Sequence, residues 1–390
     1  MKITQFGLRY SPNLGDGVIA ECVAHGVRTR KPGVDLTHVD LSGRGDFGAV
    51  TVRNREMLLA ILDRLPLWLR QRLTLWKLGK LMDRLEADWR AAAQCDLAVI
   101  GGGQILSDAN LNFPIKVGQA ARLLREAATP TAIYAVGVSK NWTPKGQALF
   151  ARLLETDLRM VGPRDAHSLT AWTDQTEGGP TPEVLLDPGL LAAECYGPAK
   201  AVSGRIGLCV TDFNLLGHHA DGSVAGGAVG PVEFYVGIAE ALITKGFDVC
   251  LFTNGAAEDR ALRARVAAAL GQRDGVLVPE DPVRPDDLVS QIGACEAVVA
   301  HRLHACIVAY SYGRAIVGLG WDRKLQSFFE TVDLAAGFTA APEITGTDVA
   351  RLVDTALARG VDASKRAQIL DRAWAGIDRL LDCATPPTEG

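Results

Sequence analysis

The sequence lacks most of the features that would place it quickly. No apolar run approaches the length of a membrane span. The opening residues, MKITQFGLRYSPNLGD, contain no apolar segment of signal-peptide length, so a cytoplasmic location is expected. Positive charge is not in excess. The formal net charge is −4, which argues against a nucleic-acid partner. The eight cysteines are scattered without CxxC spacing, so buried free thiols are expected rather than a zinc site. The one glycine triplet has neither the GxGxxG spacing of a dinucleotide fingerprint nor the GK[ST] of a P-loop.

What is present is an alternation of short β-rich runs with helical periodicity. The 390 residues suggest two or three domains, and 48% hydrophobic with 22% charged residues is ordinary for a globular chain. Strands are predicted at Ile3–Arg9, Leu36–Leu41, Leu97–Gly101, Ala132–Val138 and Leu158–Val161. Helices are predicted at Asp16–His25, Val117–Ala127, Lys145–Thr156 and Ala166–Thr173. The stretch LLDPGLLAAECYGPAKAVSG reads as a connection, and the pattern then restarts. Strands at Arg205–Thr211, Asp248–Thr253, Val276–Pro279, Ala297–Ala300 and Ala315–Leu319 alternate with helices, and Thr347–Cys383 reads as two more. The expected fold is α/β: two Rossmann-like domains, 1–190 and 205–345, in a GT-B-like arrangement with C-terminal helices over 346–390. Residues 54–90 read as a helical insertion in the first. Ligands are then expected beyond the C-terminal ends of strands, in the cleft between the domains.

Polar residues do follow the strands. Asn13, Gly15, Asp16 and Gly17 form a turn into a helix, suited either to a polar ligand or to a plain cap by Asp16. Gly101, Gly102 and Gly103 follow a strand and allow close approach, with Gln104, Ser107, Asp108 and Asn110 beside them. Arg164 and Asp165 enter a helix after another strand. They read as a cap with an ion pair, or as an arginine aimed at a carboxylate or phosphate. Asp187, in LLDPG, reads as structural.

The densest region is VVAHRLHACIVAYSYGRAIVGLGWDRK, residues 298–324. His301, Arg302 and His304 follow one strand; Trp321, Asp322, Arg323 and Lys324 follow the next. A His/Arg/Lys set suits a small, multiply charged anion, and histidine suits proton transfer near neutral pH. A structural role for His301 is an equal alternative.

Taken together, NLGD, GGGQILSD, YAVGVS, PRDAHS, LLDP and above all HRLHACIVAYSYGRAIVGLGWDRK resemble the polysaccharide pyruvyl transferase family, in the right order over about residues 5–330. The resemblance implies a GT-B-like enzyme that moves a pyruvyl group from phosphoenolpyruvate to hydroxyls of a sugar. The sugar belongs to a surface polysaccharide or its lipid-linked precursor. The product is a ketal, phosphate is released, and no metal or cofactor is required. It implies that Arg164, His304 and Lys324 contact phosphoenolpyruvate, with Arg302 supporting them. His304 is the expected acid or phosphate partner, and Asp16 a candidate base. Asn13, Asp16, Gly102, Gly103, Gln104 and Asp108 fall on the acceptor side.

Two alternatives stay open. A GT-B glycosyltransferase could use FTNGAAEDR, residues 252–260, for a nucleotide sugar, and a non-catalytic sugar or anion binder could keep the same fold. Residues 64–84, RLPLWLRQRLTLWKLGKLMDR, carry six cations and one Asp among leucines and tryptophans. They read either as a helix packed on the first domain or as an interfacial helix on an anionic membrane, which would make the protein peripheral on its inner face.

Overall fold

A computed structural model describes residues 1–48, 66–217 and 224–385. The chain divides into two compact units. The first comprises Met1–Tyr10, Ile19–Asp187 and Trp374–Gly390; the second comprises Ser11–Val18 and Pro188–Ala373.

In the first unit, strands β1 (Lys2–Gly7), β2 (Asp35–Asp40), β3 (Leu97–Gly101), β4 (Pro130–Val136) and β5 (Asp157–Pro163) form a parallel sheet in the order β2-β1-β3-β4-β5. Runs such as LAVIG bury every side chain, as strands covered on both faces require. Helices α1 (Leu14–Arg30), α2 (Leu67–Ala92), α3 (Asn112–Glu126), α4 (Pro144–Phe150) and α5 (Ala166–Thr173) alternate with the strands. Phe6, Trp89, Ile100, Ile133 and Trp172 share one core. The helix expected over Lys145–Thr156 is α-helical only to Phe150 and tightens to a 3₁₀ turn over Ala151–Glu155.

The second unit holds β6 (Arg205–Cys209), β7 (Asp248–Phe252), β8 (Val276–Leu277), β9 (Ala297–Ala300), β10 (Ala315–Leu319) and β11 (Phe338–Thr339), in the order β11-β10-β9-β6-β7-β8 and all parallel. Its longer helices are α6 (Pro231–Thr244), α7 (Ala257–Leu270), α8 (Pro285–Gly293), α9 (Leu303–Ser311), α10 (Arg323–Thr331), α11 (Gly346–Arg359) and α12 (Ala363–Asp382). Strand order reverses between β1 and β3 in the first sheet and between β6 and β9 in the second. Loops part at such switch points and leave a crevice at the carboxyl ends of the strands.

The division differs from the sequence-based one at two helices. The first turn of α1 groups with the second unit. Helix α12, expected in a separate C-terminal piece, is shared: Arg366 donates to the Ser311 carbonyl at 3.0 Å, whereas Trp374 and Asp378 hold Arg30.

Of the expected insertion, residues 49–65 lie outside the described residues; the rest is α2. Pro66, awkward inside a helix, stands at its N-cap with extended φ/ψ and breaks no hydrogen bond. Leu78, Met82 and Trp89 form the buried stripe, and Trp89 meets Phe6 edge-on at 6.1 Å. The N-terminal half is different: Leu73 is 42% exposed and Trp76 64%. Trp89→Ala should cost about 3–5 kcal/mol in urea unfolding, because it removes the anchor of α2; a loss below about 1 kcal/mol would mean that α2 is not held by this contact.

Candidate active site

The second unit carries the densest cluster. Strand β9 is fully buried and ends in the HRLH turn at the β6/β9 switch point. Arg302 is the N-cap of α9, a helix in which every residue is buried. A polar turn thus sits between two apolar elements, and each of its side chains has a defined surrounding.

His301 is wholly buried. Its Nε2 lies 3.1 Å from the Ala225 carbonyl and its Nδ1 2.9 Å from the Tyr235 hydroxyl. Burial pushes its pKa down to about 4, with the Arg302 charge adding to the effect. The neutral ring therefore donates from Nε2 and accepts at Nδ1 from Tyr235, whose hydroxyl in turn accepts from the Thr211 amide at 3.0 Å. His301 is thus a structural member of the turn.

Arg302 grips Asp259 on α7 through Nη2 at 2.6 Å and Nε at 3.2 Å. The other Asp259 oxygen accepts the Asp212 amide at 2.8 Å. One carboxylate thereby joins the loop after β6 to the turn after β9. Burial pushes the Asp259 carboxyl up, while the Arg302 charge and the Asp212 amide oppose that. The guanidinium expected to support phosphoenolpyruvate is engaged here in bracing the turn. Nothing in the sequence pairs Asp259 with Arg302, 43 positions away.

His304 lies in the first turn of α9 and is 7% exposed. The first turn of α1 packs on it. Asn13 precedes that helix, Gly15 and Asp16 lie within it, and Asp16 is therefore not the cap residue. A Cβ on Gly15 would stand 2.5 Å from His304 Nδ1, so only glycine admits this approach. Leu14 donates its amide to the Asn254 carbonyl at 2.8 Å, and Asn254 Nδ2 reaches Asn13 Oδ1 at 3.3 Å. The FTNG segment therefore holds NLGD against the histidine turn.

Lys324 lies one βα unit further on. Trp321 Nε1 donates to the His301 carbonyl at 2.8 Å, and the Lys324 ammonium lies 4.4 Å from the centre of that indole ring. Asp322 caps α10 through the Leu325 amide and holds Lys324 Nζ at 2.7 Å. His304 and Lys324 so follow adjacent parallel strands, β9 and β10, and Asn13 and Asp16 flank the Gly15 that packs on His304.

The remaining expected residues belong to the first unit and cluster at the ends of β3, β4 and β5. Gly102 and Gly103 turn with φ of +85° and +68°, and Gln104 donates to Ser139 Oγ at 2.6 Å. Arg164 is buried between Asp165 and Asp187, at 3.6 and 3.7 Å. Its charge is thus matched by two carboxylates within its own unit, one of which also caps α5 through the Ser168 amide. Asp108 spends one oxygen on the Leu111 amide at 2.8 Å and the other on the Thr143 amide and hydroxyl at 3.0 and 2.7 Å. These bonds organise the glycine turn.

Gly15→Ala should cost about 1–3 kcal/mol of stability and move the His304 ring resonances in NMR spectra. Unchanged His304 signals would show that the contact does not position the ring.

Several solved structures share this fold. A UDP-N-acetylglucosamine 2-epimerase from Listeria monocytogenes, itself described as putative, is 12% identical with a TM-score of 0.54, covering 98% of this chain and 95% of that one. The 2-epimerase of Methanocaldococcus jannaschii, in complex with UDP-GlcNAc and UDP, is 10% identical with a TM-score of 0.53, covering 96% and 99%. The S. aureus MnaA–UDP structure is 11% identical with a TM-score of 0.52, covering 100% and 99%. At this identity the likeness concerns the fold, which is GT-B. No curated protein matches by sequence. The family model described as polysaccharide pyruvyl transferase matches residues 13–323, from NLGD through the HRLH turn to the start of α10, and the chain belongs to that family.

Proposed function

We propose that this enzyme transfers the pyruvyl group of phosphoenolpyruvate to two hydroxyls of a saccharide, forming a cyclic ketal and releasing phosphate. The observation that carries the reading is the edge where His304 and Lys324 follow adjacent parallel strands, linked by the Trp321–His301 hydrogen bond. A proton delivered to the methylene carbon makes C2 oxocarbenium-like. One sugar hydroxyl adds to C2 and gives up its proton to a base. The second hydroxyl then displaces phosphate, and its proton passes to the departing phosphate as the ring closes. His304 serves as the acid or phosphate partner. Lys324 sets a cation against the leaving phosphate. Asp16 follows Gly15, which touches His304, and is the candidate base. Asn13 completes the acceptor side of this edge. For Arg164 we keep the role the family resemblance implies, a contact to phosphoenolpyruvate: Asp165 and Asp187 lie at 3.6 and 3.7 Å, and its Nε has no hydrogen-bond partner among the described residues. A nucleotide-sugar reading gains nothing from FTNG, whose Asn254 is engaged with Asn13 and Leu14.

Phosphate release from phosphoenolpyruvate should require a saccharide acceptor. His304→Ala should lower it at least about 100-fold with the fold retained, and Lys324→Gln should raise KM for phosphoenolpyruvate. Release of UDP from a UDP-sugar, with phosphoenolpyruvate left intact, would overturn the assignment.

We further propose that α2 rests on an anionic membrane surface, where a lipid-linked acceptor is found. Supporting this, Leu73 and Trp76 project among exposed Arg72, Lys77, Lys80 and Arg84, and Lys80 lies 4.1 Å from the centre of the Trp76 ring. Among the described residues no helix is long and apolar enough to cross a membrane. The protein should float with phosphatidylglycerol vesicles at low salt and lose that binding when these four cations become Gln. Equal flotation of both proteins would remove the membrane role.

A further inference from the structure

Beyond β2 the chain turns through SGRGDFG, residues 42–48, at the carboxyl edge of the first sheet. Lys116 reaches this turn from α3. It is 5% exposed, and its Nζ donates to Ser42 Oγ at 3.0 Å. Among the described residues the ammonium has no ion pair, and two of its three N–H groups are unspent. Arg44, half-buried two residues beyond Ser42, has no ion pair there either.

Asp40 is the nearby carboxylate, and it is committed. It accepts the Ser42 and Arg44 amides on Oδ1, at 2.8 and 3.5 Å, and the Tyr10 amide on Oδ2 at 3.0 Å. The turn therefore carries Arg44 beside the buried Lys116, and its Asp40 carboxylate is already bound to backbone. Holding a buried ammonium beside a second cation is unfavourable without a counter-charge. Burial first, then Arg44, pushes the Lys116 pKa down to about 8. Among the described residues a Cβ on Gly45 would meet nothing within 4 Å.

We propose that Lys116, Arg44 and Ser42 form a binding site for a phosphate or diphosphate group. The two cations supply charge, and the Ser42 hydroxyl can donate to the anion while accepting from Lys116. A compact anion with several acceptor oxygens uses all three groups, and the unspent Lys116 donors fix its place. The site lies in the first unit and does not depend on His304 chemistry. The group could come from a lipid-linked or nucleotide-linked acceptor, or from free phosphate.

Calorimetric titration of the full chain with inorganic phosphate and with geranyl diphosphate tests this. Wild type should bind at least one of them. Lys116→Met should weaken binding of geranyl diphosphate at least tenfold and Arg44→Gln several-fold, while the Lys116-dependent component of binding persists when phosphoenolpyruvate is present in excess to fill the His304 site. That competition arm separates this site from the phosphoenolpyruvate site, so either proposal can fail alone. Tighter binding of the ester assigns the site to a linked diphosphate, and equal affinity assigns it to free phosphate. Should Lys116→Met fail to fold, acetylation of Lys116 in wild type, read by mass spectrometry, should be suppressed by the bound anion. No binding of either probe, undiminished binding by Lys116→Met, or no protection of Lys116 would overturn the site.

Discussion

The candidate site depends on one buried ion pair. Asp259 is wholly buried and ties the Arg302 guanidinium to the Asp212 amide. Each partner alone would be an uncompensated charge in the interior. Together they fix the loops on either side of the β6/β9 switch point. With Arg302 fixed at the N-cap, α9 starts at one place, and His304 follows two residues later in its first turn.

The same turn separates two histidines by environment. His301 spends both ring nitrogens on neutral partners and is held uncharged by burial. Its carbonyl anchors Trp321, and that indole carries Lys324. His304 instead faces the first turn of α1, which approaches closely because Gly15 has no side chain. The two histidines differ in what surrounds them, not in type.

The first unit shows the complementary situation. Arg164 lies 3.6 and 3.7 Å from two carboxylates, and Asp108 accepts from the Leu111 amide and the Thr143 hydroxyl. Among the described residues Lys116 and Arg44 have no ion pair.

The sequence by itself determined the alternation of strands and helices, the parallel sheets and the placing of polar turns at strand ends. Those follow from hydrophobic period and from turn residues, which are local. The family resemblance was legible too, because NLGD, GGGQ and HRLH with a lysine twenty positions on keep their order along the chain. Which side chain in a turn is spent was not legible. Asp259 and Arg302, Asn254 and Leu14, and Lys116 and Ser42 meet across long sequence separations, and no local pattern records such pairs. Nor did the sequence reveal that α1 and α12 each divide between the two units. Only tertiary structure decided these points, because burial and charge compensation depend on every element that packs against a residue, and periodicity describes one element at a time.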